Sequence, residues 1–360
     1  MTNKTWHVIG LMSGTSLDGL DLAYVKFTRN NGYDFEILET ESLPYSEKWK
    51  NRLYGAFREN GESLTRLDAD YGHYLGQCVN EFRERHQMDA IDLIASHGHT
   101  IFHRPEQGYT LQIGEGAALA AETGLKVICD FRTQDVALGG QGAPLVPIGD
   151  ELLFAEFDFC LNLGGFANVS YNDGAERKAF DICPVNIVLN EYTRRSGFEF
   201  DDRGSMASGG SLDRKLLGAL NDLPFYKVEV PKSLGYEFVT EEVLPLIDSQ
   251  GLELEDILCT FAEHAALQVS KVIDRACRAM GKTSPKILVT GGGAYNDHFI
   301  SRLEHFCGVP VTIPDSRTIE FKEALIFALL GVLREQGEVN CLKSVTGAEK
   351  DHSSGVVYEF

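Results

Sequence analysis

No two of the eight cysteines form a C-x-x-C pair, and several sit in apolar runs, such as Cys129 after Val127-Ile128 and Cys160 between Phe159 and Leu161. This argues against a disulfide framework and against a zinc site, and leaves reduced, buried thiols. Also missing is any apolar run near the roughly 20 residues that a transmembrane helix needs. The stretch from Met1 to His7 is polar and leads straight into a strand, so no secretory leader is expected and a cytoplasmic protein is. Basic residues are scarce beside acidic ones, 33 Lys and Arg against 53 Asp and Glu, for a net charge of −20. A nucleic-acid or membrane partner is therefore not expected, because binding phosphate by charge needs clustered Lys and Arg. One local site for a phosphorylated small molecule stays compatible with the overall sign.

What remains is an ordinary globular composition, 43% hydrophobic and 24% charged over 360 residues. That length exceeds one usual core, so two domains are expected. Trp6–Gly10, Ala23–Phe27 and Phe35–Leu38 read as a three-stranded meander. Helices follow over Ser46–Asn60 and Ser63–Gln87, then a strand at Ile91–Ser96, a small-residue helix at Glu115–Thr123 and a strand at Leu125–Asp130. The second half repeats the order. Strands at Phe157–Leu163, Ala167–Tyr171 and Lys178–Asp181 precede helices over Val185–Ser196, Leu212–Leu220, Tyr236–Ser249 and Glu255–Met280. Lys286–Thr290 is a further strand, Val309–Ile313 follows, and Lys322–Gln336 is a closing helix. Two α/β halves with no low-complexity linker suggest an internal duplication. The expected division is residues 1–150 plus about 320–360, and 151–319.

Three Gly-rich strand ends are candidates for chemistry. The first is Gly10-Leu-Met-Ser-Gly-Thr-Ser-Leu-Asp-Gly-Leu-Asp21. Gly14 and Gly19 lack a Cβ, and Thr15 and Ser16 add hydroxyls, so the turn suits close approach to an anion. Asp18 and Asp21 would oppose bare phosphate but suit an intervening Mg²⁺. An ordinary β-hairpin with a polar turn fits the same letters, and neither a Walker ending nor G-x-G-x-x-G is present in it. The second is Leu161-Asn-Leu-Gly-Gly-Phe-Ala-Asn-Val169, and the third Ile287-Leu-Val-Thr-Gly-Gly-Gly-Ala-Tyr-Asn296. Together they make the layout of two phosphate turns and an adenosine platform clamping one nucleotide.

The wording of these segments resembles a known family. Met12–Asp21, Ser96-His-Gly-His-Thr-Ile-Phe-His-Arg-Pro105, Leu111-Gln-Ile-Gly114 and the long run Asp130-Phe-Arg-Thr-Gln-Asp-Val-Ala-Leu-Gly-Gly-Gln-Gly-Ala-Pro-Leu-Val-Pro147 match motifs of the anhydro-N-acetylmuramic acid kinases. Phe180–Asn186, Pro231–Phe238, Glu323-Ala324 and Ser344–Ala348 match as well, so the resemblance spans nearly the whole chain in order. It implies an α/β, two-domain actin-like (duplicated ribonuclease H-like) sugar kinase fold with nucleotide in the interdomain cleft. It also implies an ATP- and Mg²⁺-dependent cytoplasmic homodimer. Its reaction turns 1,6-anhydro-N-acetylmuramic acid, ATP and water into N-acetylmuramic acid 6-phosphate and ADP, a step of peptidoglycan recycling. A kinase for another amino sugar and a catalytically inactive nucleotide switch are the alternatives.

On this resemblance the nucleotide contacts are Gly14, Thr15, Ser16, Leu17, Asp18, Gly19 and Asp21, with Asn162, Gly164, Gly165, Asn168, Gly291, Gly292, Gly293 and Asn296. Mg²⁺ falls to Asp18 or Asp21, since Leu11 stands where hexokinase-type turns often carry the metal-directing Asp. The sugar is assigned to His97, Thr100, Asp130, Arg132, Gln141 and Glu323. Opening the anhydro ring requires a carboxylate that takes a proton from the attacking water. Asp181 fits that role; capping the helix that starts near Pro184 fits it almost equally from the residues alone, and the family motif favours the base. Arg132 suits a lactyl carboxylate, or with Asp130 makes a structural ion pair. Glu323 suits a sugar hydroxyl or simply the start of a helix. His97, His99 and His103 read as polar lining rather than metal ligands, because no Cys or carboxylate completes the set. The glycines beside Gln141 suit a hinge. The chain departs from the family's pattern at Cys183 and Val185, where Gly is common, at His99, where Gln is, and at Leu234 and Tyr236.

Overall fold

The structure, a computed structural model, describes residues 4–14, 17–228 and 233–360. The chain divides into two compact units, Met1–Leu153 with Phe321–Phe360, and Phe154–Glu320.

The first unit is built on one mixed sheet. Its strands are β1 (Lys4–Ser13), β2 (Gly19–Arg29), β3 (Tyr33–Pro44), β4 (Leu93–Arg104), β5 (Tyr109–Ile113), β6 (Val127–Cys129) and β11 (Val356–Tyr358). The order is β11-β6-β4-β1-β2-β3, with β5 paired to β4. β1–β2–β3 is the antiparallel meander, while β4 and β6 add in parallel. β1 is central and carries Trp6, Val8, Ile9 and Leu11 fully inside, as a strand covered on both faces must. β3 is the edge and stays largely exposed or half-exposed, with Glu36, Glu39 and Glu41 along it, charge that discourages edge-to-edge pairing. The Gly61–Arg85 helix starts on Asn60, whose side chain accepts the Ser63 N–H at 3.0 Å. It buries Leu67, Tyr71, Leu75, Cys78, Val79 and Phe82, a stripe at helical spacing that closes one side of this core.

The second unit repeats the plan. β7 (Phe159–Leu163), β8 (Phe166–Asn172) and β9 (Arg177–Pro184) form the meander, and β10 (Ile287–Thr290) adds in parallel to β7, for the order β10-β7-β8-β9. Thr312 then bridges Leu288 in parallel, in the place that β6 holds beside β4. The Leu254–Met280 helix is the hub of this core, burying Ile257, Leu258, Phe261, Ala265, Val269 and Ile273. It ends on Gly281 at φ 66°, the left-handed position that glycine takes cheaply.

Several expectations need correction. The strand expected at Ile91–Ser96 runs on to Arg104, where it pairs with β5, and neither β5 nor β11 was anticipated. The Asp297–Cys307 helix lies where no element was expected. The closing helix starts at Ser316, six residues before the expected Lys322. Gln141 is not at a unit boundary but inside the first unit. There Asp135 Oδ2 accepts the Gly142 N–H at 2.7 Å and the Gln141 N–H donates to the Thr346 carbonyl at 2.8 Å, so these glycines are pinned and do not form the hinge.

Candidate active site

In the first unit, β1 and β2 do form a hairpin, with Met12 opposite Asp21 and Ser13 opposite Leu20. Its turn includes Gly14, Leu17 and Asp18, while Thr15 and Ser16 lie outside the described residues. Leu17 sits at φ 62° with its N–H on the Gly14 carbonyl at 3.4 Å, a conformation that costs energy in a branched residue and concentrates at ligand-binding turns. Asp18 is exposed; Asp21, next to Gly19–Leu20 at the start of β2, is half-buried and accepts the Ser42 hydroxyl at 2.5 Å. A β-carbon on Gly10 would lie 2.0 Å from the Ala324 carbonyl oxygen. Only glycine lets the Ser316–Glu335 helix run so close to β1, and this sets Glu323 within electrostatic reach of Asp21. Burial pushes the Glu323 carboxyl up, Asp21 adds to the rise, and Arg132 and Lys322 oppose it. The Glu323 side chain still reaches solvent.

Arg132 is held by two hydrogen bonds, Nε to His97 Nε2 at 3.0 Å and Nη1 to the Gly142 carbonyl at 2.6 Å. Because His97 Nε2 accepts, its proton is on Nδ1, which donates to the Gly98 carbonyl at 2.9 Å. Burial, with the Arg132 charge beside it, pushes this imidazole down to about 3. His97 is therefore a neutral prop that orients the guanidinium. Asp130 does not pair with Arg132; at φ 54° it turns its Oδ1 to the Thr133 N–H at 3.3 Å. Thr100 Oγ1 accepts from Gln112 at 3.3 Å, and the Gln141 side chain is exposed. Thus Asp21, His97, Arg132 and Glu323 form one electrostatic group.

One cluster escaped sequence reasoning. Ser13 Oγ lies 2.7 Å from Tyr45 Oη and 2.9 Å from His99 Nδ1, and Tyr45 Oη lies 2.5 Å from Tyr71 Oη. Burial pushes the His99 imidazole down to about 4 and the Tyr45 phenol up to about 12, so the chain is uncharged near neutral pH. It fixes the end of β1 just before the turn. The signal was present, since Ser13 and His99 both stand in matched motifs, but nothing in one dimension joins them.

In the second unit the sheet register aligns the candidates. Thr290, Asn162, Asn168 and Asp181 stand directly opposite one another on β10, β7, β8 and β9, so they share a face. Asn162, Asn168 and Asp181 are half-buried, while Leu161, Leu163, Ala167, Val169 and Ile182 beside them are core. Asp181 caps no helix: the Asn186–Arg195 helix has Val185 at its N-cap without a side-chain bond. Instead Asp181 Oδ2 accepts the Leu234 N–H at 2.9 Å. Burial pushes its carboxyl up and that bond partly restrains it. The Gly164 and Gly165 carbonyls take the N–H groups of Asn186, Val185 and Ile187, which binds the β7–β8 turn to the start of that helix. Gly291, at φ 80°, passes so close that a β-carbon would sit 2.5 Å from Asn162 Oδ1. It ties the Gly292–Gly293 turn to the polar row. Asn296 stands apart, its Oδ1 accepting the Phe299 N–H at 2.9 Å as the cap of the Asp297–Cys307 helix. Pro231 and Lys232 of the Pro231–Phe238 motif lie outside the described residues.

A family model described as anhydro-N-acetylmuramic acid kinase matches residues 6–360. The anhydro-N-acetylmuramic acid kinase of Coxiella burnetii (strain RSA 493 / Nine Mile phase I) is 33% identical over 369 residues, covering 97% of this chain and 96% of the relative. That of Shewanella denitrificans is 34% identical over 374 residues, covering 99% of each. Among solved structures, the activator of the 2-hydroxyisocaproyl-CoA dehydratase from Clostridium difficile with bound ADPNP aligns at TM-score 0.43 and 14% identity, over 90% of this chain and 93% of that one. Hexokinase from Schistosoma mansoni complexed with glucose aligns at TM-score 0.39 and 13% identity, over 90% and 85%. No helix among the described residues is long and apolar enough to cross a membrane.

Proposed function

The chain belongs to the anhydro-N-acetylmuramic acid kinase family, and we propose that it is a sugar kinase of the actin-like class with Asp181 as the general base of its reaction. In that reaction ATP is the phosphoryl donor. Water attacks the anomeric carbon of 1,6-anhydro-N-acetylmuramic acid, the C1–O6 bond breaks, and O6 takes the γ-phosphoryl group. The products are N-acetylmuramic acid 6-phosphate and ADP, and Asp181 receives the water proton. The observation that carries this is the half-buried Asp181 carboxyl, raised by burial, engaged by one backbone N–H and at the end of a polar row. A carboxylate raised in this way is a better proton acceptor than an exposed one, provided it stays ionised at working pH.

The supporting roles are part of the same proposal. The hairpin turn from Gly14 to Gly19 and the turns at Gly164-Gly165 and Gly291–Gly293 are assigned to the nucleotide, and Arg132, propped by His97, to the lactyl carboxylate of the sugar. Mg²⁺ suits the oxygen donors near the hairpin: the charge of Asp21 raises the Glu323 carboxyl, a repulsion that a hard cation relieves. Asp21, with Asp18 beside it, would hold the ion, which when bound neutralises phosphate charge during transfer. The same reading has the enzyme act as a homodimer in the cytoplasm, salvaging cell-wall sugar.

The test supplies purified protein with ATP, Mg²⁺ and 1,6-anhydro-N-acetylmuramic acid and follows ADP, with N-acetylmuramic acid and N-acetylglucosamine as comparisons. Turnover confined to a non-anhydro sugar overturns the substrate assignment. Asp181→Asn is expected to lower kcat by about 10²–10⁴ with ATP affinity nearly unchanged. It keeps an acceptor for the Leu234 N–H and removes a carboxylate that burial disfavours, so its Tm is expected to be no lower than wild type. Substantial residual turnover would move the base elsewhere, to Asp130 first.

A further inference from the structure

Away from the candidate catalytic residues, three side chains from distant parts of the first unit converge in its interior. Asp135 lies in the Thr133–Ala137 helix. Cys341 and His352 face each other across a short antiparallel bridge. Asp135, Cys341 and His352 are 0%, 1% and 6% exposed. One carboxylate oxygen, the thiol sulfur and one ring nitrogen all lie within 4.8 Å of one another.

The histidine tautomer makes this arrangement unusual. His352 Nδ1 lies 3.1 Å from the Lys350 carbonyl, which can only accept, so Nδ1 carries the proton. Nε2 is then the ring atom turned toward the other two side chains. That atom is buried without a hydrogen-bond partner, and it faces Asp135 Oδ1 at 3.6 Å, beyond hydrogen-bond reach. Nε2 and the Asp135 carboxylate are thus too far apart for a hydrogen bond and close enough to bind one cation between them.

We propose that Asp135 Oδ1, Cys341 Sγ and His352 Nε2 hold one Zn²⁺, with a water as the fourth ligand. A thiolate, an imidazole and a carboxylate together suit Zn²⁺ and disfavour Mg²⁺. Metal–ligand bonds of about 2.1 Å place tetrahedral ligand atoms about 3.4 Å apart, close to the 3.6 Å between Nε2 and Oδ1. The surrounding bonds are those that aim ligands. His352 Nδ1–H is anchored on a backbone carbonyl, and the Asp135 carboxylate accepts from the Thr346 hydroxyl at 2.7 Å and the Gly142 N–H at 2.7 Å. Zinc binds the thiolate form of a cysteine, so uptake at Cys341 releases the thiol proton to solvent. The ion staples the C-terminal segment to the loop whose Gly142 carbonyl holds Arg132. The proposal does not rest on the kinase reading.

The test uses the full chain, stripped by chelator and gel-filtered, then titrated with ZnCl₂ against a chromophoric competitor, with MgCl₂ as control, and separately with CoCl₂. One equivalent of Zn²⁺ is expected, none of Mg²⁺ at this site, and a thiolate-to-cobalt charge-transfer band. Calorimetry in two buffers is expected to read about one proton released per ion. Cys341→Ser and His352→Gln are each expected to abolish the cobalt band and to weaken zinc by more than the about 100-fold that outer-shell changes cost; Cys259→Ser leaves both intact. Absence of stoichiometric zinc and of the cobalt band in the wild type overturns the proposal and makes His352 a protonated partner of Asp135. Undiminished zinc binding in both ligand variants overturns it equally. The wild-type measurements stand whether or not the variants fold.

Discussion

The buried neutral histidines make the first unit sensitive to acid, and His99→Gln isolates one of them. Burial holds His97 down to about 3 and His99 down to about 4, whereas an unfolded histidine titrates near 6.5. As pH falls below that value the unfolded chain takes up a proton at each position and the folded chain does not, so stability is lost as pH falls. Each histidine costs about 1.4 kcal/mol per pH unit in this window. Between pH 7.5 and 5 that is about 2 kcal/mol each and about 4 kcal/mol for the pair, a large share of the roughly 5–15 kcal/mol that stabilises a typical domain. Both tryptophans, Trp6 and Trp49, lie in the first unit, so their fluorescence reports its unfolding and not that of His264 in the second. Glutamine is the family's common residue at position 99 and can still bond Ser13. Urea midpoints read by tryptophan fluorescence at pH 7.5, 6.5, 5.5 and 5 are expected to show the variant losing about 2 kcal/mol less than wild type across this range. Parallel pH profiles for the two proteins would refute the reasoning, because they would mean that His99 already carries its proton when folded.

Further substitutions, with their controls, test the frame around this group. Gly10→Ala drives a β-carbon to 2.0 Å from the Ala324 carbonyl and is expected to cost about 1–3 kcal/mol and to lower kcat/KM by displacing Glu323; Gly218→Ala, in a second-unit helix with nothing within 4 Å, is expected to be neutral or stabilising in a urea titration read by far-ultraviolet circular dichroism. Arg132→Lys cannot keep both the His97 and the Gly142 bonds, so steady-state kinetics are expected to show at least about a tenfold rise in sugar KM, equivalent to about 1.4 kcal/mol; an unchanged KM would remove Arg132 from the sugar. Lys322→Met removes the cation 2.7 Å from the buried Asp150 carboxylate and is expected to lower the urea midpoint, a loss that Asp150→Leu in the same chain reduces.

Much of the fold was legible because its strongest elements announce themselves locally. β1 and β7 are short apolar runs that end in glycine turns, and the Gly61–Arg85 and Leu254–Met280 helices carry unbroken apolar stripes. What stayed hidden depends on partners far along the chain. β11 is three residues long and exists through its pairing with β6, more than 220 positions earlier. β5 is a polar-looking pentapeptide held by the second half of β4. Asn296 shows how one letter serves two readings. An Asn after a Gly-rich strand end is read as a nucleotide contact, and its service as a helix cap appears only with the Phe299 N–H on its Oδ1.

Asp135 carries the same point further. Within Asp130–Pro147 it is one acid among glycines, and a Gly-Gly-Gln-Gly stretch read alone suggests freedom of motion. In the folded unit its carboxylate accepts from Gly142 and from Thr346, 211 residues away, and stands against Cys341 and His352. The glycines are there for close approach, since a β-carbon at Gly140 would meet Asp135 Oδ2 at 2.2 Å. The loop that looked like a hinge is therefore the rigid mount of Arg132. A conformational change that moves Arg132 has to carry this anchored loop as one body, because bending at Gln141 would strip a fully buried carboxylate of its donors.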